Sequence, residues 1–532
     1  MKSGRAGKSF VTGAAVLAAA GLLCKIIGVF IRVWAYGIIG EEGMVYYEAA
    51  FPFYNWLLII SSSGVPIAVS RMVARAAALN DLVGARKILK KSGLLLLFVG
   101  LITSALMYFG ADWFALSFIG KDASYILGFR FLAPALLFVS VMCAYRGYLQ
   151  GMQNMNGTAL SQICEQVVKC AAGLFLAGRW IARGPEYGAA GILAGIVISE
   201  AMALGIVMAF TYVNRKRYFP LGASPEAGED TPVIKTLLGI AVPITLGASI
   251  LPLTSLLDVR MVFSRMGGYM AEAEVNRSYV VLSTNVRSLV NLPSSLTQSL
   301  SMALVPAITA AQTKNDLRSL RDAANLGLKI AMAIGMPCAA GLFVLGVPVI
   351  KMLFSSITPE SVAIAEHIMP FAATSVIFIS LVQTMAGELQ GIGKHRIPVW
   401  CLLAGGVAKV ITNYLLLPVP SVNIAGASIS NIVCYAVAGI ADLLFFMKYS
   451  GYTPDIKSVF VKPLACSVIM GAATYGVYKL LYSLHPGPAV TVVCICFGVA
   501  VYGVSAVACS LFTREELNYI PGGTRLKRFF KE

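Results

Sequence analysis

Seven basic residues stand inside otherwise apolar stretches of this chain: Lys25, Arg32, Arg130, Lys169, Arg260, Arg287 and Lys409. An ionised side chain deep in a bilayer costs at least about 2.5 kcal/mol, so such residues normally face a protein interior or a wet cavity. The chemistry open to them is recognition of an anion. Lysine supplies a point charge, and arginine a planar fork that matches phosphate. Each could instead snorkel from a helix end to the headgroups. For Arg32 and Arg260, close to the ends of their apolar stretches, that explanation serves equally well. Some charges are compensated locally. Glu165 precedes Lys169 by four residues, the favourable order on a helix. Asp258 and Arg260 are two apart and do not face each other on a regular helix. Glu48, Glu200, Glu388 and Asp442 lie mostly toward the ends of apolar stretches. Glu48, Glu165 and Asp258 are the candidates for ion coupling or internal pairing. Lys25 and Arg287 have no acid nearby in sequence, which leaves the deep inventory net basic. That balance suits an anionic substrate and poorly suits an organic cation, which would need acidic or aromatic walls.

Nothing in the chain reads as catalytic machinery. There is no GxxxxGK[ST] phosphate loop, HExxH, GxSxG or DxD pair, so neither ATP hydrolysis nor metal-assisted hydrolysis is expected. No cofactor is expected either. The membrane potential alone would drive two negative charges outward by roughly 4–5 kcal/mol at 100 mV, from about 2.3 per charge. Na+ or H+ remain candidate coupling ions. Eleven Cys are scattered through apolar stretches, and the three His are far apart. Small buried thiols, and no metal site, are the expectation.

These charges sit in a chain of 532 residues that is 58% hydrophobic and 13% charged, with a mean hydropathy of +0.78. That composition belongs to a polytopic membrane protein. Helices rather than a barrel follow from apolar runs that are continuous instead of alternating. About 14 spans can be counted. Six lie near 10–38, 45–70, 88–110, 124–147, 158–182 and 188–213. Six more lie near 234–262, 278–305, 324–352, 361–386, 397–418 and 424–447, and two near 459–482 and 488–512. The expected division is an N-lobe over 1–213, a polar linker over 214–233, a C-lobe over 234–447, and two last helices with a basic tail over 448–532. The tail, TRLKRFFKE, suits an anionic leaflet.

The two lobes carry a faint repeat. Leu149-Gln150-Gly151 and Lys169 recur as Leu389-Gln390-Gly391 and Lys409, 240 residues later. Asn80-Asp81 and Arg86 recur as Asn315-Asp316 and Arg321, 235 residues later. Two matches in one order at nearly one spacing favour homologous halves. Six spans per half put both in the same orientation, and a substrate site between such halves is the usual arrangement. Lys and Arg favour the termini and even-numbered loops over the odd-numbered loops by roughly four to one. Both termini are therefore expected in the cytoplasm. The net charge of +17 reads as basic cytoplasmic loops, not as a nucleic-acid surface.

Several segments resemble a known superfamily: KIIGVFIRVWAYGIIGEEG (25–43), GVPIAVSRMVA (64–74), RGYLQGMQNMNGTALSQICEQVVK (146–169) and NLPSSLTQSLSMALVPAIT (291–309). With the plan of two six-helix halves plus two helices, they resemble the multidrug/oligosaccharidyl-lipid/polysaccharide exporter superfamily. The likeness is to its polysaccharide-biosynthesis branch, which includes the stage V sporulation protein B family and the MurJ-type lipid II flippases. The resemblance implies a V-shaped, MATE-like all-α bundle of two lobes with a cationic central cavity. It implies transfer of an undecaprenyl-diphosphate-linked peptidoglycan precursor to the outer leaflet of a bacterial plasma membrane, for cell wall or spore cortex synthesis. Lys25 matches a family arginine in the first helix, and Arg32 and Arg287 fall about one position from family charged residues. The family's second-helix arginine has no match, and Leu58 lies near its position. A drug or cation antiporter of the same fold, or a non-transporting scaffold for cell-wall synthesis enzymes, are the other readings. The expected partners are a polyprenyl-diphosphate-linked glycan, membrane lipids and cell-wall enzymes.

Overall fold

The computed structural model describes residues 2–79, 81–214, 232–314, 316–513 and 516. The body of the expected linker, the two repeat asparagines and the basic tail lie outside the described residues. Among the described residues the chain is helical, with no strand. Twelve segments among the described residues are long and apolar enough to cross a membrane. The first of them, Leu23–Ala78, contains the second expected span and the later part of the first. A further helical run, Glu272–Thr313, occupies the place of the expected eighth span but is too polar to be among the twelve. The fourteen expected spans are thereby all accounted for.

The helix α1 runs over Lys2–Ser62 and is broken at Gly40, whose φ of 64° and ψ of −172° are non-helical. Positive φ without a Cβ penalty is what glycine supplies, and it separates the first two spans. A break at Ser63 follows, then α2 (Gly64–Ala78), α3 (Leu82–Phe109), α4 (Ile126–Gly151), α5 (Asn156–Trp180) and α6 (Pro185–Val213). Next come α7 (Val233–Met261), α8 (Glu272–Val280) and α9 (Arg287–Thr313). A π-helical segment, Val281–Val286, joins α8 to α9. The remaining helices are α10 (Leu317–Leu353), α11 (Pro359–Gly391), α12 (Ile397–Leu416), α13 (Ala425–Ser450), α14 (Lys462–Leu484) and α15 (Pro488–Ala508).

The chain forms two compact units, Met1–Ser264 and Arg265–Glu532. The first takes in α7, which the two-lobe division assigns to the second half. There α2 and α7 touch at backbone distance, since a Cβ on Gly64 would lie 2.1 Å from the carbonyl oxygen of Ala241. Its core joins Val69, Val73, Leu96, Tyr148, Leu149 and Leu237. The core of the second unit joins Ile308, Leu328, Met332, Met385, Leu389 and Phe446. The two helices without a counterpart, α14 and α15, pack on each other and on α10.

The repeat has a physical content that is the same in both units. A Cβ on Gly151 of α4 would lie 2.7 Å from Ser70 O and 2.7 Å from the Val73 Cβ. A Cβ on Gly391 of α11 would lie 2.7 Å from the Ile308 Cβ and 3.3 Å from Val305 O. Ser70 and Val73 precede Val305 and Ile308 by the same 235 residues seen for the Asn-Asp match, while the glycines keep the 240. One turn earlier, Gly147 meets Pro66 and Gly387 meets Ser301 at the same two offsets. Both halves therefore use a small-xxx-small face, the device that lets membrane helices approach closely. The turn that follows is shared too: Asn154 N donates to Leu149 O at 2.9 Å, and Lys394 N to Leu389 O at 2.8 Å. It requires positive φ at Gln153 (56°) and at Gly393 (79°). The repeated aspartates cap helices: Asp81 accepts from Gly84 N at 2.6 Å and Asp316 from Ser319 N at 3.0 Å.

Candidate functional site

Four of the candidate residues converge inside the first unit. Arg32 and Glu48, on the two arms of α1 either side of Gly40, approach to 3.7 Å, with only 2% of the Glu48 side chain exposed. The Arg32 guanidinium also lies 5.8 Å from the centre of the Phe51 ring. On α5, Glu165 receives Lys169 at 3.3 Å on one oxygen and Arg146 of α4 at 3.0 Å on the other. Arg146 donates in addition to Ser161 Oγ at 3.1 Å. Buried Tyr47 lies within electrostatic reach of Arg32, Glu48 and Lys169, and so links the two groups. Glu200 of α6, 4% exposed, faces Glu165, Lys169 and Arg146. One of its oxygens has no hydrogen-bond partner among the described residues. Four helices thus hold one cluster, in which Arg32 pairs with Glu48, and Arg146 and Lys169 share Glu165. Burying the second group is tolerable because both bases hydrogen-bond the Glu165 carboxylate.

Lys25 stands two turns before Arg32 on the same face of α1 and is exposed. Its neighbour Cys24 reaches α5, donating to Gln162 O at 3.5 Å. Two other candidates in this unit have different surroundings. Arg130 forms an exposed pair with Asp112 at 3.0 Å. Arg260 donates to Phe118 O at 2.8 Å and Ser117 O at 3.4 Å, and lies over the Phe118 ring. It thereby satisfies carbonyls at the end of the π-helical segment Trp113–Ile119, the groups that a helix terminus leaves open. Asp258 is buried at 6% exposure.

In the second unit, Arg287 follows the π-helical segment directly. It is half-buried and makes no hydrogen bond or ion pair among the described residues. Short π segments are frequent at functional sites, and this one buries Ser283, Thr284 and Asn285 completely. Lys409 is buried at 5% on α12, where its repeat position corresponds to Lys169. Glu388 and Asp442 are fully buried, and their carboxyl oxygens have no hydrogen-bond partner among the described residues.

Arg146 and Lys329 are not among the residues singled out from sequence, and Glu200 is noted there only as an acid toward the end of a span. Arg146 and Glu200 lie near the ends of their spans, where a charge looks interfacial, and only the packing of α4, α5 and α6 turns them inward. Lys329 on α10 is 3% exposed and pairs with Glu516 at 2.7 Å. Its partner lies 187 positions away, beyond the reach of any local pattern.

Two helical repeats with acidic and basic residues in their interiors define a polytopic membrane protein. The chain matches the family model described as polysaccharide biosynthesis protein over residues 10–312, more than half its length, and it belongs to that family. A second model, MatE, matches residues 284–415. The chain is 28% identical to the uncharacterized membrane protein YabM of Bacillus subtilis (strain 168), over 98% of this chain and 96% of that one. It is 25% identical to the lipid II flippase MurJ of the same organism, over 98% of each. To that organism's stage V sporulation protein B it is 26% identical, over 97% of this chain and 98% of that one. Among solved structures, the lipid II flippase MurJ in an inward closed conformation superposes with a TM-score of 0.68 at 16% identity, covering 93% of this chain and 98% of that one. An inward-facing multidrug resistance MATE family transporter gives 0.69 at 16% identity, covering 80% and 94%. The fold is that of the multidrug/oligosaccharidyl-lipid/polysaccharide exporter superfamily, and MurJ and stage V sporulation protein B are among the chain's relatives.

Proposed function

We propose that this protein is a flippase that moves a polyprenyl-diphosphate-linked glycan, lipid II or a related peptidoglycan precursor, from the inner to the outer leaflet of a bacterial plasma membrane by alternating access. The observation that carries this reading is Arg287, a half-buried cation at membrane depth with no counter-ion among the described residues. A cation kept in that state is stabilised when an anion arrives, and a diphosphate supplies two acceptor groups for its fork. In the first unit, Lys25 is a separate exposed cation on α1. Family membership and the resemblance to MurJ support the same reading. The membrane potential is the driving force proposed, with both termini in the cytoplasm and no catalytic step. A cation antiporter of this fold is disfavoured by the sign of these residues.

The test is binding of a polyprenyl-diphosphate disaccharide lipid to the purified protein, beside Lys25→Ala and Arg287→Ala, with a lipophilic cation as competitor. Saturable binding of the lipid, weakened roughly tenfold or more by each substitution in folded protein, is expected; hydrogen bonds to a charged group are worth about 1.5–3 kcal/mol. Tight binding of the cation with indifference to the lipid would replace the flippase by the antiporter. Binding of neither would favour a membrane scaffold for cell-wall enzymes.

A further inference from the structure

Lys329 is a buried charge that the proposed function leaves unused. The residue 235 positions earlier is Leu94, which is exposed, so the repeat does not call for a lysine there. Its partners are not on α10 either. Glu516, its ion-pair partner, and Phe512, whose ring centre lies 5.4 Å from the ammonium, both come from the chain that follows α15. Asp455, an exposed acid, is within electrostatic reach. A largely apolar run over 330–353 follows Lys329 on α10. At about 1.5 Å per residue it is about 36 Å long, enough to cross a hydrocarbon layer of about 30 Å. The ammonium therefore stands where α10 leaves the hydrocarbon.

The chain leaves α15 by a tight turn. Leu511 N donates to Ala506 O at 2.9 Å and Ser510 N to Val507 O at 3.1 Å, with Ser510 at a φ of 46°. This is the Schellman pattern, whose left-handed position glycine ordinarily fills, and a serine there is strained. The strain is met by contacts on both sides. Leu511 is fully buried in one cluster with Ala333 of α10 and Ala506, and Lys462 Nζ of α14 donates to Ser510 O at 2.8 Å. Thr513 and Glu516 then bond reciprocally, Thr513 N to Glu516 Oε2 at 2.8 Å and Glu516 N to Thr513 Oγ1 at 3.3 Å, the pattern of a capping box. The same carboxylate receives Lys329 Nζ at 2.7 and 3.0 Å. One acid thus closes the segment on itself and seats it on α10.

What this segment holds down is loosely attached. Among the described residues, α10 is the helix on which the α14–α15 pair rests. The seat lacks the close crossings of the repeats, for a Cβ on Gly471 of α14 would lie 3.7 Å from the Ala340 Cβ, an ordinary contact. A helix pair supported on one side only belongs to the parts of a fold that open locally. We propose that residues 509–516 are a releasable strap, latched by the Lys329–Glu516 ion pair, that decides whether the strap end of the α14–α15 pair stays seated on α10. The latch suits release. The Glu516 side chain is 20% exposed, so dissolved ions reach it, and the turn and the capping box are internal to the strap. The proposal stands independently of the flippase reading.

Cys466 supplies the readout. It is fully buried near the start of α14, with its thiol beside that of Cys509 in the strap. The experiment measures the rate at which a water-soluble maleimide alkylates Cys466 in the full-length protein, read by peptide mass spectrometry. Buried Cys434 of α13 serves as the reference. Glu516→Gln is expected to raise the Cys466 rate about tenfold with Cys434 unchanged, because labelling follows the population of the open form. Raising salt from about 0.05 to 0.5 M should speed Cys466 labelling in the parent and leave Glu516→Gln unaffected, since the latch is an ion pair that salt screens. Thermal unfolding checks that Glu516→Gln folds. Should it misfold, Lys329→Gln/Glu516→Gln removes the latch without leaving a buried charge, and the same tenfold rise is expected. An unchanged Cys466 rate, a Cys434 rate that rises in step with it, or a parent indifferent to salt overturns the strap.

Discussion

The two units of this molecule are built on one plan and filled with different chemistry. Shared are the glycine crossings at Gly147/Gly151 and Gly387/Gly391, the turns at Gln153 and Gly393, and the capping aspartates. What differs is where charge is kept. In the first unit, Arg146, Glu165 and Glu200 knit α4, α5 and α6 together. The residues 240 positions later are Ala386, Gly405 and Ile440. Gly405 lets α12 and α13 touch at backbone distance, since a Cβ there would lie 2.4 Å from Cys434 O. The first interface adds ion pairs to close packing, since a Cβ on Gly195 of α6 would lie 2.3 Å from the Gly173 Cα of α5. The second unit buries its acids at other positions of α11 and α13, Glu388 and Asp442, where the first has Tyr148 and Met202. Duplication preserved the crossings, where geometry tolerates few residues, and let the interiors diverge.

This comparison can be broken first at Glu165. Glu165→Ala removes the acid that answers both Arg146 and Lys169, leaving buried cations uncompensated. A loss of about 3–5 kcal/mol is expected, read as a lowered thermal midpoint in detergent or lipid. A midpoint unchanged within error would mean that the network contributes no stability. The shared crossings should give a smaller and matched effect. Gly151→Ala and Gly391→Ala each force a Cβ into an occupied space, at about 1–3 kcal/mol. If one unit tolerates its alanine and the other does not, the crossings are not equivalent. The smallest effect belongs to the turns. Gln153→Gly relieves a non-glycine residue of positive φ and should raise stability by about 1 kcal/mol, while Gly393→Ala should lower it by a similar amount. A stabilising Gly393→Ala would contradict the shared turn.

Much of the fold was legible in the sequence, for identifiable reasons. Apolar length sets the number of spans, because a helix must cross the hydrocarbon at a fixed rise per residue. The Leu-Gln-Gly repeat was visible because its glycine admits no substitute at a close helix crossing. Glu165 with Lys169 was visible because one helical turn brings them together. The expected eighth span, 278–305, was counted with the others, and the run Glu272–Thr313 occupies its place although it is more polar. Only the tertiary structure could decide which charges share a network. Arg146, Glu200 and Tyr47 come from three helices besides α5, and Lys329 takes its counter-ion from far along the chain. The same holds for Arg260, whose guanidinium is spent on the carbonyls of a neighbouring helical segment. Charge type and spacing determine what a side chain can bind. What it does bind depends on which helices are packed beside it, and in a membrane protein that is settled by the fit of faces far apart in sequence.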